Sequence, residues 1–332
     1  MEEIARQLTE TYGPSGSEGR IREAIRALIA GHADEIRVDA LGNLIARRPA
    51  TQDPPAGKLM LAAHMDEIGL IVSFIDEKGF ARFHSVGGLF PHTLIGSRVL
   101  FENGTVGVIG VEKRTSNNIP PLEKLYVDVG ATSREDAPIQ VGDVAGFQRS
   151  FVAQGARWVS KSMDDRIGCA VLVQFLQELE RSAYEVYAVF TTQEEVGTRG
   201  AVVSAFGIEP DVAIAVDVTT TGDTPESEKM AVELGKGAAI KVKDRDMIAH
   251  AGLRKRLAEV ARREGIPYQL EVLDLGSTDA RSIQVSRAGV PAGVISVPCR
   301  YVHTPSEMVD REDVRAAVDL LLQAVKSPMK LE

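Results

Sequence analysis

The sequence predicts an α/β chain with a small all-β domain inserted into it. Toward both ends, short apolar runs alternate with amphipathic helical patterns, the rhythm of a layered α/β domain. Between about residues 70 and 151 that rhythm gives way to β-rich runs broken by glycines such as Gly79, Gly87, Gly88, Gly96, Gly104, Gly107 and Gly110. The apolar run at 59–63 ends in His64-Met65-Asp66-Glu67 just before the change, and helical patterning resumes at 167–179. The expected division is an α/β domain made of residues 1–67 and 158–332, with residues 68–157 as the insertion.

Taken in order, helical periodicity covers 2–12 and 18–31, parted by Gly13-Pro14-Ser15-Gly16-Ser17, with Ser17 as the expected N-cap of the second helix. Strands at 36–39 and 43–46 pair about Leu41-Gly42. Past the insertion, strands are expected at 186–190, 212–216, 239–242, 269–272 and 293–297. Helices are expected between them at 200–206, 250–264, 278–287 and 311–325. The chain carries no internal repeat and no low-complexity tract.

Bulk properties narrow the function classes. A chain of 332 residues can bury a sizeable core. Its 38 basic and 47 acidic residues leave a net charge of −9, which argues against a nucleic-acid partner or an anionic membrane surface. Cys169 and Cys299 each lie in an apolar segment, so buried thiols in a reducing compartment are expected rather than a disulfide framework. Residues 1–6 are charged, without an apolar signal core, and no apolar run reaches membrane-spanning length. A cytoplasmic location is the expectation.

The chemistry gathers where apolar strands end, which is where open α/β sheets place their sites. Thr191-Thr192-Gln193-Glu194-Glu195-Val196-Gly197 follows the strand at 186–190. Adjacent side chains there point apart, so one glutamate can hold a metal while the other moves protons. His64 and Asp66 share one strand end, and the Asp66 carboxylate is expected to bond the far nitrogen of His64. Asp164 precedes a helix, either as an ordinary N-cap or as a carboxylate bridging two metals, with Asp165 and Arg166 in support. Asp217 closes the apolar run 212–216, where an unpaired carboxylate is costly to bury. His303 lies just beyond the strand at 293–297. His64, Asp164, Glu195, Asp217 and His303 form a nitrogen and oxygen set suited to zinc, cobalt or manganese, with Glu194 as the general base. His32, His84, His92 and His250 lack partners at ligand spacing and read as structural or surface residues, although the insertion offers His92 a route toward a neighbouring subunit.

These residues stand in segments that resemble the co-catalytic metallo-aminopeptidases that include the glutamyl and deblocking aminopeptidases and the tetrahedral TET particles. The matching pieces are 63–69, 163–168, 193–197, 216–219, 278–280 and 300–307, in family order over nearly the whole chain, together with 127–131 in the insertion. The resemblance implies a three-layer α/β metallopeptidase domain with an inserted PDZ-like or barrel-like dimerisation domain. It implies two divalent ions, one on His64 and Asp217, the other on Glu195 and His303, with Asp164 bridging, Glu194 as base and Asp66 behind His64. It further implies peptide substrates cut from the N-terminus, dimers that build a tetrahedral dodecamer, and a cis bond between Asp164 and Asp165. Ser277 stands where a second glycine is frequent, a departure that bears on a loop facing substrate.

Three rivals remain. A metal-dependent carboxypeptidase or deacylase would need a cation such as Arg166, Arg281 or Arg300 for a substrate carboxylate. A glycosidase would use two carboxylates without metal, and 5% aromatic residues are few for sugar stacking. A non-catalytic oligomeric scaffold or binding protein would have no physical reason to keep five such ligands.

Overall fold

In the computed structural model, which describes residues 1–113, 118–329 and 331, the two textures separate into a layered domain and a barrel. Helices α1 (Glu2–Glu10) and α2 (Gly19–Ile29) come first, then the hairpin β1 (Glu35–Val38) and β2 (Leu44–Arg48), then β3 (Lys58–His64). The chain crosses into the insertion as β4 (Gly69–Ile75), β5 (Ala81–Val86), α3 (Pro91–Leu94), β6 (Arg98–Phe101), β7 (Val106–Val111), β8 (Leu125–Asp128) and β9 (Val144–Phe147). It returns as the hairpin β10 (Val152–Gln154) and β11 (Arg157–Ser160) and the long helix α4 (Met163–Glu178). The remainder is β12 (Glu185–Thr191), α5 (Arg199–Ile208), β13 (Val212–Thr219), β14 (Ala238–Lys243), α6 (Ala251–Glu264), β15 (Tyr268–Val272), α7 (Asp279–Gln284), β16 (Ala292–Arg300), β17 (Glu307–Asp310) and α8 (Arg311–Ala324).

The large sheet runs β1-β2-β12-β3-β13-β16-β17-β11-β10, with β14 and β15 attached beside β16. At its centre β12, β3, β13 and β16 are mutually parallel. Strands buried on both faces must be apolar at every position, and β3 illustrates why. Its Leu59, Leu61 and Ala63 pack with residues of α1, α2, α4 and α8, whereas Met60 and Ala62 pack with residues of α5 and α7. Two helical layers therefore enclose the sheet, giving the three-layer α/β fold. The six inserted strands close as β4-β5-β8-β7-β6-β9 around their own core of Leu70, Phe83, Val99, Phe101, Val127 and Phe147. Of the two forms expected, the insertion takes the closed barrel.

Three local expectations change. Because β10 and β11 pair with each other and β11 with β17, the chain rejoins the large sheet at Val152 rather than at 158. The stretch Glu307–Asp310 forms a strand absent from the sequence reading, since four residues are too few to show alternation and its pairing with β11 supplies the order. Helix α2 is preceded by Glu18, and Ser17 makes no capping bond. Glu18 Oε1 instead accepts from the amides of Gly16 at 2.8 Å and Gln193 at 3.2 Å, tying the 13–18 loop to the segment that bears Glu194.

A buried ionic network lies where the chain leaves for the barrel, and the last barrel strand passes it at Gly146, where a Cβ would lie 3.0 Å from Glu67 Oε1. Glu67, at the exit, accepts from Gly13 N at 3.0 Å, from Lys161 Nζ at 2.5 Å and from the Ser162 hydroxyl. Arg166, fully buried, donates to the carbonyls of Leu8 at 2.7 Å, Thr11 at 2.9 Å and Gly13 at 3.1 Å, and lies 3.5 Å from Glu67. Removing one partner from such a group strands buried charge. Arg166→Met is expected to lower unfolding stability by about 3–5 kcal/mol in urea titrations, with the barrel's orientation loosened in hydrogen exchange around Glu67 and Lys161.

Candidate active site

The candidate residues leave the sheet where its parallel strands end. In the β3–β12 register Thr191 stands opposite His64, so these strands stop level and present His64 and the Glu194-Glu195 pair on the same edge. Asp217 lies late in β13, opposite Ser296 of β16, and His303 follows β16. Asp164 arrives from the start of α4, where Asp164 and Asp165 depart from helical geometry and their peptide bond is cis, as the resemblance implied.

Two groups result. Ligand atoms of His64, Asp164 and Asp217 all lie within 4.8 Å of one another, and so do those of Asp164, Glu195 and His303. Asp164 belongs to both. Its Oδ1 is 3.0 Å from His64 Nε2 and its Oδ2 is 3.3 Å from His303 Nε2. Glu195 Oε1 is also 3.3 Å from His303 Nε2, and Glu194 Oε2 lies 4.0 Å from His64 Nε2. The five candidate ligands of the sequence thus come together, with Glu194 beside them.

Three further carboxylates grip the backbone of these segments. Asp66 accepts from the amides of Glu194 at 3.0 Å and Glu195 at 3.2 Å and from Ser15 Oγ at 2.6 Å. His64 Nδ1 is 3.1 Å from the Asp66 carbonyl oxygen and 3.6 Å from its carboxylate Oδ1. Asp165 accepts from the amides of His64 at 3.2 Å and Gly168 at 3.0 Å. Glu307, fully buried, accepts from Asp164 N at 3.0 Å and His303 N at 2.7 Å, so one carboxylate spans both flanks of the shared aspartate. Sequence reasoning missed this role, for the only available signal was an acid four residues after His303. The approach of the barrel to the site was missed as well. A Cβ on Gly87 would lie 3.0 Å from Glu195 Oε2, and one on Gly88 would lie 2.7 Å from His303 Nδ1. The loop after β5 therefore packs against candidate ligands.

The electrostatics are those of a centre short of positive charge. Burial pushes the Asp217 carboxyl well above its usual range, and the nearby Asp164 charge adds to the rise. Burial likewise raises Glu195, partly offset by His303. Burial raises Glu194 well above 4.5, and the charges of Asp217, Asp279 and Glu195 push it further. For His64 burial opposes the charged form, yet hydrogen bonds to Asp164 and Asp66 hold the imidazole well above 6.5. His303 is pushed up to about 12 by Glu195 and Asp164 against the same desolvation. Glu195 Oε1 is buried without a hydrogen bond from the described residues. An orphaned carboxylate oxygen, crowded acids and two inward imidazoles fit a site for divalent cations.

A layered α/β domain that carries an inserted barrel and collects histidines and carboxylates at its strand ends defines a peptidase of the aminopeptidase class. Residues 42–320 match the family model described as M42 glutamyl aminopeptidase. A protein named as an aminopeptidase from Acetivibrio thermocellus is 50% identical over 98% of this chain and 98% of its own. Among solved structures, an aminopeptidase of the archaeon Desulfurococcus kamchatkensis superposes with a TM-score of 0.94 at 40% identity, covering 98% of this chain and 94% of that one. The TET1 peptidase of Pyrococcus horikoshii, described as assembling into a tetrahedron or a large octahedral shell, gives 0.87 at 32% identity over 97% and 98%. The chain belongs to the M42 aminopeptidase family, whose members are metal-dependent hydrolases.

Two outcomes follow from the geometry. Metal binding needs neutral imidazoles and ionised carboxylates, and His64, His303, Glu195 and Asp217 all have raised pKa values. Zinc titrated into chelator-stripped protein should therefore release protons, with affinity rising as pH increases through neutrality, read by calorimetry in buffers of different ionisation enthalpy. Glu307→Gln leaves one of two buried amides without its acceptor and should cost about 1–3 kcal/mol in unfolding experiments.

Proposed function

We propose that the chain is a two-metal aminopeptidase that removes residues from the free N-terminus of peptides. The observation that carries this reading is Asp164, whose two carboxylate oxygens face separate imidazoles in two groups of possible ligands. His64 and Asp217 would hold one divalent ion, Glu195 and His303 the other, and Asp164 would bridge them. Zinc or cobalt suits this donor set best, and manganese is compatible with it. When bound, the pair supplies Lewis acidity toward the scissile carbonyl and a water of lowered pKa.

Glu194 is the general base. Its Oε2, 4.0 Å from His64 Nε2, is placed to take the attacking water's proton and return it to the leaving amine nitrogen. Asp66 keeps that carboxylate in place through the Glu194 amide. Cations that a carboxypeptidase or deacylase would need are committed elsewhere. Arg166 holds three backbone carbonyls, Arg300 pairs with Asp223 at 2.6 Å, and Arg281 pairs with Asp246 at 2.6 Å. A glycosidase or an inert scaffold leaves the shared aspartate without a purpose.

The assembly described for the TET1 relative, together with the closed barrel, supports a homo-oligomer in which the barrel makes the dimer contact and dimers build a dodecamer. Two free, buried cysteines, Cys169 and Cys299, suit a cytoplasmic setting. Among the described residues no helix is long and apolar enough to cross a membrane.

Glu194→Gln should lower kcat by roughly 10²–10⁴-fold on aminoacyl anilides while metal affinity stays nearly unchanged. Glu195→Gln should weaken metal affinity and activity together. Wild-type-like turnover in Glu194→Gln would remove it as the base, and one phenotype shared by both variants would mean their roles are divided wrongly.

A further inference from the structure

From the wall of the substrate cavity we infer that this enzyme prefers peptides whose first residue has an uncharged, apolar side chain such as leucine or methionine. The inference rests on the aminopeptidase reading and deepens it. A cavity of about 620 Å³ opens from His64, Asp164, Glu195 and His303 toward the loop that joins β15 to α7. Its lining includes Val218, Val302 and the barrel's Phe90 beside the metal-ligand candidates, and Met230, Leu273 and Leu275 beyond them in the chain. Phe90 is 48% exposed and Leu275 is 62% exposed, so the chain leaves large apolar surface uncovered at this wall. The loop with Leu273 and Leu275 is the one that Ser277 marks in the sequence, and the Ser277 hydroxyl makes no hydrogen bond among the described residues.

The charges set deepest in the same wall are already matched, and those left over, Arg245 and Glu228, stand in solvent. Lys241, fully buried, donates to Glu271 and has Asp244 3.9 Å away, so two carboxylates face one ammonium. Glu271 is further held by the hydroxyls of Thr219 at 2.8 Å and Ser296 at 2.6 Å. Arg281 is paired with Asp246 at 2.6 Å, and Arg245 lies 3.8 Å from the same carboxylate. Glu228 is an exposed residue. A substrate glutamate would meet a lysine already outnumbered by acids, and a substrate lysine would meet an Asp246 that Arg281 already holds. The only charges left for either are the exposed Arg245 and Glu228, and a pair formed in solvent contributes little. An apolar side chain needs no such pair and covers Phe90, Leu273 and Leu275.

The test is a panel of aminoacyl para-nitroanilides (Leu, Met, Glu, Lys) on zinc- or cobalt-loaded wild type, with thermal shifts by the free amino acids as a second readout. Leu and Met should exceed Glu and Lys in kcat/KM by about tenfold or more, and free methionine should raise the Tm more than glutamate or lysine does. Leu273→Glu should move the Lys/Leu ratio toward Lys by about tenfold, whereas Leu273→Met should keep the wild-type order. Equal or better turnover of Glu or Lys by wild type would overturn the inference while leaving the aminopeptidase reading intact. Failure to cleave any of the four would overturn both. An unchanged ratio in a folded Leu273→Glu protein would overturn the place of Leu273 in the wall.

Discussion

Everything at the strand ends answers to one constraint, the burial of more carboxylates than the local cations offset. Asp66, Asp164, Asp165, Glu194, Glu195, Asp217 and Glu307 gather around two imidazoles. The fold manages the excess by dividing the acids between two tasks. Asp66, Asp165 and Glu307 turn toward backbone amides, where charged acceptors make strong hydrogen bonds. Asp164, Glu195 and Asp217 turn toward the imidazoles and one another, in the two groups that share Asp164. The first set fixes where the second set can be. Because the amides bound include those of Glu194, Glu195, His64, Asp164 and His303, the first set holds the segments that bear the second.

The barrel is more than an appendage to this centre. Its loop at Gly87-Gly88 approaches so closely that a Cβ on Gly88 would force His303 to shift and one on Gly87 would crowd Glu195, and Phe90 continues along the cavity wall. A loop that close must be held to the layered domain with little play. The Glu67, Lys161, Ser162 and Arg166 network lies where the chain leaves for the barrel, beside Gly146 of the last barrel strand. An ionic cluster at a crossing, rather than an apolar one, gives directional contacts that set the angle as well as the distance.

Much of this was legible in the sequence because parallel strands must be apolar throughout, so His64, Asp217 and the Glu194-Glu195 pair stand out at their ends. The change of texture after Gly69 announced the insertion for a similar reason, since a small barrel needs many turns. The supporting contacts were not legible. Glu307 and Asp164 are 143 positions apart, and nothing in either neighbourhood encodes that one carboxylate will take the other's amide. Asp66 lies beside the His64 ring, with its carbonyl at 3.1 Å and its carboxylate at 3.6 Å from Nδ1, but nothing local encodes that the same carboxylate also takes the two glutamate amides. Strand β17 and the missing cap at Ser17 belong to the same category, where long-range pairing overrode a weak local signal.

Diffraction at the zinc absorption edge from crystals grown with zinc tests the shared carboxylate most directly. Two anomalous peaks per chain are expected, one beside His64 and Asp217 and one beside Glu195 and His303, each about 2.0–2.2 Å from an oxygen of Asp164. A single peak at saturating zinc, or two peaks of which only one touches Asp164, would contradict a bridged two-ion centre.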